Sequence, residues 1–349
     1  MRHLNSAERE VLAEVLSKTY EMRIRKDEGD MKYSEIRGFN YQPSYGSTGF
    51  ELWQYFDAAV IDIELGRGRT YFPGMNAVRW WLSVDSYLRN PQRFLDNFDQ
   101  ALHIAARHDV KVMPVLFNRW HNAALDYGGV YQDYFHPREV CTNRIGLHRE
   151  FVNAVVSEHA VDDRIFCWDL CNEPFDNRLD PAEHANIIEN ELLWLTDMYH
   201  QCKESGAAAP ITCGTDNGSN GTGWLEKVEP ISDLLTIHPY WQKNRGDTVD
   251  DYCRLLDDCV RFAEKAGKPI LAAECCWGSL DDADRVEIIT VQLRELRKRT
   301  VGWLAYLLHH SLIADAHRPE YGPVGNPGNL AFIEADGSLR PGHDVFNEF

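Results

Sequence analysis

No stretch of about 18 consecutive apolar residues occurs in this chain, so no membrane-spanning helix is expected. The N-terminal stretch MRHLNSAEREVLAEVLSKTYEMRIRK lacks an apolar core of signal-peptide length, because Glu8, Glu10 and Glu14 interrupt it. It reads instead as an amphipathic helix, capped by Asn5 or Ser6, with Leu12, Val15, Leu16 and Tyr20 as its apolar stripe. Cysteine is sparse and odd in number, nine in 349 residues, which excludes a small disulfide scaffold. Several cysteines lie inside apolar runs and fit reduced, buried thiols, so a cytoplasmic address is expected. Positive charge is also short: 36 Lys and Arg against 54 Asp and Glu give −18. Such a surface repels a phosphate backbone and an anionic bilayer, so neither nucleic acid nor membrane is an expected partner.

What the chain has in quantity is short apolar runs rich in strand-forming residues. They are 36–41, 77–82, 111–117, 165–171, 210–214, 234–238, 269–274 and 301–308. Between them lie segments of helical period. Phe94, Phe98, Leu102 and Ala105 follow Asn90-Pro91; Ile188, Leu192, Leu195 and Tyr199 follow Asp180-Pro181; Val286, Ile289, Leu293 and Leu296 follow Asp281. Each such helix opens on an Asn or Asp suited to capping. Strands alternating with helices predict βα units and a parallel sheet, and eight units predict a (β/α)8 TIM barrel with long βα loops. The expected layout is one domain: an N-terminal helix over 1–33, a barrel over 36–310 and a C-terminal segment over 311–349. A doubly wound sheet is the alternative. Pro114, inside the third run, strains the reading, and the fifth unit (CGTDNGSNGTGW) is short enough to be a loop with one helical turn.

A barrel places its chemistry where its strands end. Asn40 closes the first run and Arg79 lies in the second. Trp120 and His121 follow the third, Asn172 and Glu173 the fourth, and Asp216 and Asn217 the fifth. His238 and Tyr240 close the sixth, Glu274 and Trp277 the seventh, and His309 and His310 the eighth. Amides and charges suit sugar hydroxyls, and aromatic rings suit sugar faces. Glu173 and Glu274 each terminate an apolar run and lie on opposite sides of the predicted mouth. Two carboxylates in different settings are what glycosidic hydrolysis needs, one as proton donor and one as nucleophile, with about 5–5.5 Å between them if configuration is retained. Cys167 and Cys171 are spaced to share one face of a strand, but no second Cys or His pair follows at zinc-finger spacing, so no structural zinc is expected.

Asn172-Glu173-Pro174 after the fourth strand, the Glu closing the seventh, an Arg in the second and His-x-Tyr after the sixth together resemble the clan A glycoside hydrolases. These are retaining β-glycosidases on (β/α)8 barrels, including cellulase-like, mannanase and β-galactosidase families. GFNYQPSYG, VRWWLS and VMPVLF look more narrowly like bacterial cellulase-like proteins. The resemblance implies Glu173 as acid/base, Glu274 as nucleophile, Asn172 on the sugar 2-hydroxyl, Arg79 supporting the nucleophile, and His238 and Tyr240 lining the site. It implies a carbohydrate substrate and neither cofactor nor metal. The clan's usual Trp at the end of strand eight is missing: Trp303 lies near that run's start, and its end reads His309-His310-Ser311. The long stretch 121–144, with its tyrosines, reads either as a surface excursion packed on the barrel or as a wall closing one end of the cleft, and a closed end would favour exo action on short glycosides. Two other classes stay open. One is a metal-dependent barrel enzyme using His238, Glu173, Glu274, Asp216 and His309; the other is a carbohydrate-binding pseudoenzyme.

Overall fold

Each apolar run overlaps a strand. The computed structural model, described over residues 31–119, 130, 135, 144–175, 180, 182–217, 221–313 and 330–349, has β1 (Arg37–Tyr41), β2 (Ala77–Trp81), β3 (Lys111–Asn118) and β4 (Trp168–Asn172). They are followed by β5 (Ile211–Asp216), β6 (Leu235–His238), β7 (Ile270–Cys275) and β8 (Gly302–Ala305). All neighbours pair parallel, and β8 pairs with β1, closing the barrel in chain order. The doubly wound alternative is thereby excluded.

Helices cover the outside: α1 (Gly49–Gln54), α2 (Ala58–Tyr71), α3 (Val84–Arg89), α4 (Pro91–Arg107), α5 (Arg144–Glu158), α6 (Ala185–Glu204), α7 (Gly223–Val228), α8 (Val249–Ala266) and α9 (Asp282–Lys298). The caps of α4 and α9 are as predicted, since Asn90 accepts from the Arg93 amide and Asp281 from the Asp284 amide. The third cap is not. Helix α6 starts at Ala185, because Asp180 spends its side chain on the Ala182 amide in a preceding turn. The fifth unit is short, as its glycines suggest: α7 has six residues.

Pro114 sits within β3 opposite Trp80. The ladder continues around it, with Val112 O accepting from Phe166 N and Val115 O from Leu82 N. The residues expected to form the N-terminal helix lie outside the described residues up to 30; beyond them Tyr33–Glu35 form a 3-10 turn. In the C-terminal segment, Phe332 and Phe346 pack on Phe39, the latter ring stacked at 4.4 Å. No helix among the described residues is long and apolar enough to cross a membrane.

Two strands break the alternation of faces: β4, which leads directly into Glu173, and β7, which carries Glu274. In β4 the register slips between Asp169 and Asn172. Cys167 therefore packs inside the barrel with Met113 and Leu271, whereas Cys171 packs in the outer core, so the two sulfurs do not share a face. In β7 the register slips between Ala272 and Cys275. Leu271 and Ala273 face inward; strict alternation would turn Glu274 out, and the irregularity returns it to the interior.

Candidate active site

Arg79, fully buried in β2, is the centre of a bonded network. Its Nε and Nη2 donate to Asp169 Oδ2 at 2.9 and 2.8 Å. Its Nη1 donates to Glu274 Oε1 at 2.5 Å and to Asn40 Oδ1 at 3.0 Å, and Nη2 reaches Asn172 Oδ1 at 2.8 Å. Burial alone would lower the Arg79 pKa, but Asp169 and Glu274 outweigh it and raise it, so the guanidinium is a permanent charge. Asn40 is itself held from β1 by donating to the Ala273 and Leu304 carbonyls, each at 2.9 Å.

The second oxygen of Glu274 accepts the Tyr240 hydroxyl at 2.6 Å. Burial and the Glu274 charge push the Tyr240 phenol well above its ordinary range, which keeps it a donor. Glu274 thus lies between a fixed cation and a hydroxyl, each bonded to one of its oxygens.

Glu173 meets a different neighbour. His238 Nδ1 lies 2.8 Å from Glu173 Oε1 and 3.7 Å from Glu274 Oε2. Burial lowers the His238 pKa, with Glu274 opposing and Arg79 reinforcing the shift. The ring is therefore neutral at neutral pH, and its Nδ1 can donate to an ionised Glu173 or accept from a protonated one. Asn217 Oδ1 fixes the His238 backbone by accepting its N–H at 3.1 Å. Gly214 lets these groups converge: a Cβ there would stand 2.8 Å from His238 Nε2 and 3.2 Å from Asp169 Oδ2. One oxygen of Glu173, one of Glu274 and a ring nitrogen of His238 all lie within 4.8 Å of one another.

Seven residues singled out from the sequence thus meet: Asn40, Arg79, Asn172, Glu173, His238, Tyr240 and Glu274. Trp277 borders them, its ring 5.0 Å from Tyr240. Trp120 and His121 lie outside the described residues. His309 must be corrected. Strand eight stops at Ala305, three residues earlier than its apolar run, so His309 lies beyond the rim. Its ring faces helix α2 instead, with Nε2 3.2 Å from Arg67 and Nδ1 3.5 Å from Glu64. The residue that does follow strand eight is Tyr306, in an apolar cluster with Trp81, Tyr240 and Trp277. An aromatic ring therefore stands there, although not a tryptophan.

Two contributors, Asp169 and Arg285, escape the reading of strand ends, and a third, Asn118, closes β3 itself. Asp169 is the counter-charge of Arg79, and its signal was a lone charge inside the apolar run IFCWDLCNE, where an unpaired carboxylate would be costly. Asn118 accepts the Asn172 amide at 2.9 Å. Arg285, buried on α9, donates to the Cys276, Trp277, Tyr306 and Leu330 carbonyls and so ties together the turns after β7 and β8. Burial brings its pKa down to about 10, which still leaves it charged at neutral pH.

Glu173, His238 and Glu274 present ligand atoms close enough for a metal ion. The electrostatics do not suit one, because both oxygens of Glu274 already accept bonds and the donor on one is a guanidinium cation. Neither Asp216 nor His309 belongs to that close group.

The sequence model of the family described as Cellulase (glycosyl hydrolase family 5) matches residues 71–311, more than half of the chain. A probable mannan endo-1,4-beta-mannosidase A-2 of Aspergillus terreus is 30% identical over 197 residues, covering 52% of this chain and 48% of that protein. The chain thus spans about half the length of the curated relatives it matches. The same fold occurs in the exo-beta-1,4-mannosidase Op5Man5 from Opitutaceae bacterium strain TAV5, with TM-score 0.67 and 20% identity over 89% of this chain and 58% of that one. It occurs also in the endo-1,4-beta-D-mannanase from Thermotoga petrophila RKU-1, with TM-score 0.63 and 16% identity over 90% of this chain and 98% of that one.

Proposed function

The chain belongs to glycosyl hydrolase family 5, and from that premise we propose that it is a retaining β-glycosidase working by double displacement. Glu274 attacks the anomeric carbon while Glu173 protonates the departing oxygen, giving a covalent glycosyl-enzyme and a free alcohol. Glu173, now ionised, takes a proton from water, and the resulting hydroxide displaces Glu274 with net retention. Arg79 and Tyr240 each bond one oxygen of Glu274 and aim it. Asn172 faces the sugar 2-hydroxyl, and Tyr306 takes the position of the clan's aromatic platform. His238 keeps Glu173 in place through both protonation states.

The observation that carries this reading is the approach of a Glu173 oxygen to a Glu274 oxygen within 4.8 Å. Inverting enzymes keep their carboxyl groups about 6.5–9.5 Å apart to admit a water, and this site supports the shorter, retaining arrangement. The names of the relatives direct the choice of substrate to β-1,4-linked mannosides. Action at chain ends of short glycosides is part of the proposal, supported by the length of the stretch between β3 and α5 in the sequence. So is a reducing, cytoplasmic location, supported by eight free cysteines among the described residues.

The test is a panel of activated 2-deoxy-2-fluoro glycosides, beginning with the β-mannoside and read by intact mass and peptide mapping. The expected result is one sugar attached at Glu274. A label on any other residue, or none from any member of the panel, overturns the proposal.

A further inference from the structure

The proton donor stands on an unusual turn. Glu173 and Phe175, on either side of Pro174, have φ of +46° and +63°. Non-glycine residues occupy that left-handed region only where their surroundings hold them. Three bonds hold this turn. The Glu173 N–H donates to Gly214 O at 2.9 Å, and the Arg119 N–H to Asn172 O at 3.0 Å. The Phe175 N–H donates to Glu191 Oε1 at 3.0 Å. The Phe175 ring is buried against Trp224, with centroids 5.1 Å apart.

Glu191 is remote in sequence, on α6, and wholly buried. Its partner is Arg119, just past β3 and also buried. Arg119 Nε donates to Glu191 Oε1 at 2.7 Å, and Nη2 to Oε2 at 3.3 Å. A buried ion pair is seldom more stabilising than apolar residues of the same volume, so stability alone is a poor reason for this one. Its geometry supplies another. The Glu191 oxygen that takes the Arg119 Nε is the oxygen that takes the Phe175 amide. The Arg119 main chain, in turn, holds the carbonyl of Asn172. The pair therefore grips the turn at both ends, with Glu173 between the grips.

We propose that Arg119 and Glu191 are positioning residues for the proton donor: their ion pair sets the direction in which the Glu173 carboxyl meets the departing oxygen. The inference rests on the double-displacement reading above. It predicts a selective defect, because only leaving groups that need a proton depend on the aim of Glu173. A dinitrophenolate departs without one; a phenolate does not.

The experiment compares kcat/KM for the phenyl and 2,4-dinitrophenyl forms of the glycoside that wild type cleaves best. The variants are Glu191→Gln and Arg119→Lys, each checked by thermal unfolding. The second keeps the positive charge but loses the two-point hold of the guanidinium on Glu191, and it decides the matter if the first does not fold. The expected outcome is a fall of about tenfold or more on the phenyl glycoside, part of the contribution of general acid catalysis, with the dinitrophenyl value near that of wild type. Azide should raise the variants' kcat on the dinitrophenyl substrate, since it needs no general base to attack the glycosyl-enzyme. Equal losses on both substrates, or no loss on either, overturn the inference alone. A wild type that cleaves neither substrate overturns the proposed function, and this inference with it.

Discussion

The barrel interior has two storeys built by the same strands. The lower one is apolar: Ile36, Ala77, Met113, Cys167, Leu234, Leu271 and Leu304 pack on one another. The upper one is a bonded set of charges and amides, with Arg79 shared among Asp169, Glu274, Asn40 and Asn172. The lower storey gains from removing apolar surface from water, a term that is additive and indifferent to direction. The upper storey gains little net stability, because desolvating its charges offsets much of their attraction. What it gains is direction: the donors of Arg79 and Asn40 are committed to fixed acceptors, so Glu274 is aimed. The contrast teaches where the two kinds of damage should fall. Substitutions below should cost stability and spare the rate, and those above should do the reverse.

The largest expected effect is at Glu274. Glu274→Gln removes the proposed nucleophile, and turnover should fall roughly 10³-fold or more, about 4 kcal/mol of transition-state stabilisation. Arg79 keeps Asp169 as its counter-charge, so the melting temperature should stay close to wild type or rise. Rates and thermal unfolding measured on one preparation decide it; a large loss of stability would show that the upper storey also carries the fold. Leu304→Ala is the reciprocal test. The Leu304 side chain fills the space that Gly38 leaves open: a Cβ on Gly38 would come within 2.6 Å of Leu304 Cδ2. The truncation should cost about 2–5 kcal/mol by denaturant unfolding and leave kcat per folded molecule nearly unchanged. A rate defect without a stability defect would break the division.

The division also explains what was legible in the sequence. Apolar runs bounded by turn residues gave all eight strands, because the interior of a closed parallel barrel tolerates little else. Polar residues directly after those runs gave most of the site, because the C-terminal rim is where βα loops converge. Three features were out of reach for physical reasons. The inward aim of Glu274 depends on a slip of register in β7, which alternation cannot supply. The end of β8 at Ala305 is invisible in a run that stays apolar to Leu308, and that continuity is what drew His309 into the site. The grip of Glu191 on Phe175 joins segments whose proximity is set only by closure of the barrel. Asp169, by contrast, was in plain view.

The smallest expected effect concerns acid, and it separates the upper storey from the periphery. Three buried imidazoles resist protonation: His238, His309 and His343. His238 belongs to the site. His343 lies outside the barrel in the C-terminal segment itself, where it faces Arg285, Arg340, Asp282 and the Pro341 carbonyl. Burial, with Arg285 adding to it, lowers the His343 pKa to about 4. An unfolded chain binds that proton near pH 6.5, whereas the folded chain does not until about pH 4. The stabilisation is thus complete above pH 6.5 and drains away as pH falls toward 4, by at most about 1.4 kcal/mol per pH unit for one group. His343→Gln should flatten the dependence of unfolding free energy on pH across that window. The slope that remains includes the contribution of His238, the storey's own imidazole. The pH profile of kcat/KM should not move, because His343 touches neither glutamate. An unchanged stability slope would mean that the acid sensitivity lies elsewhere; a shifted rate profile would mean that periphery and site are coupled through Arg285, which bonds the carbonyl of Trp277.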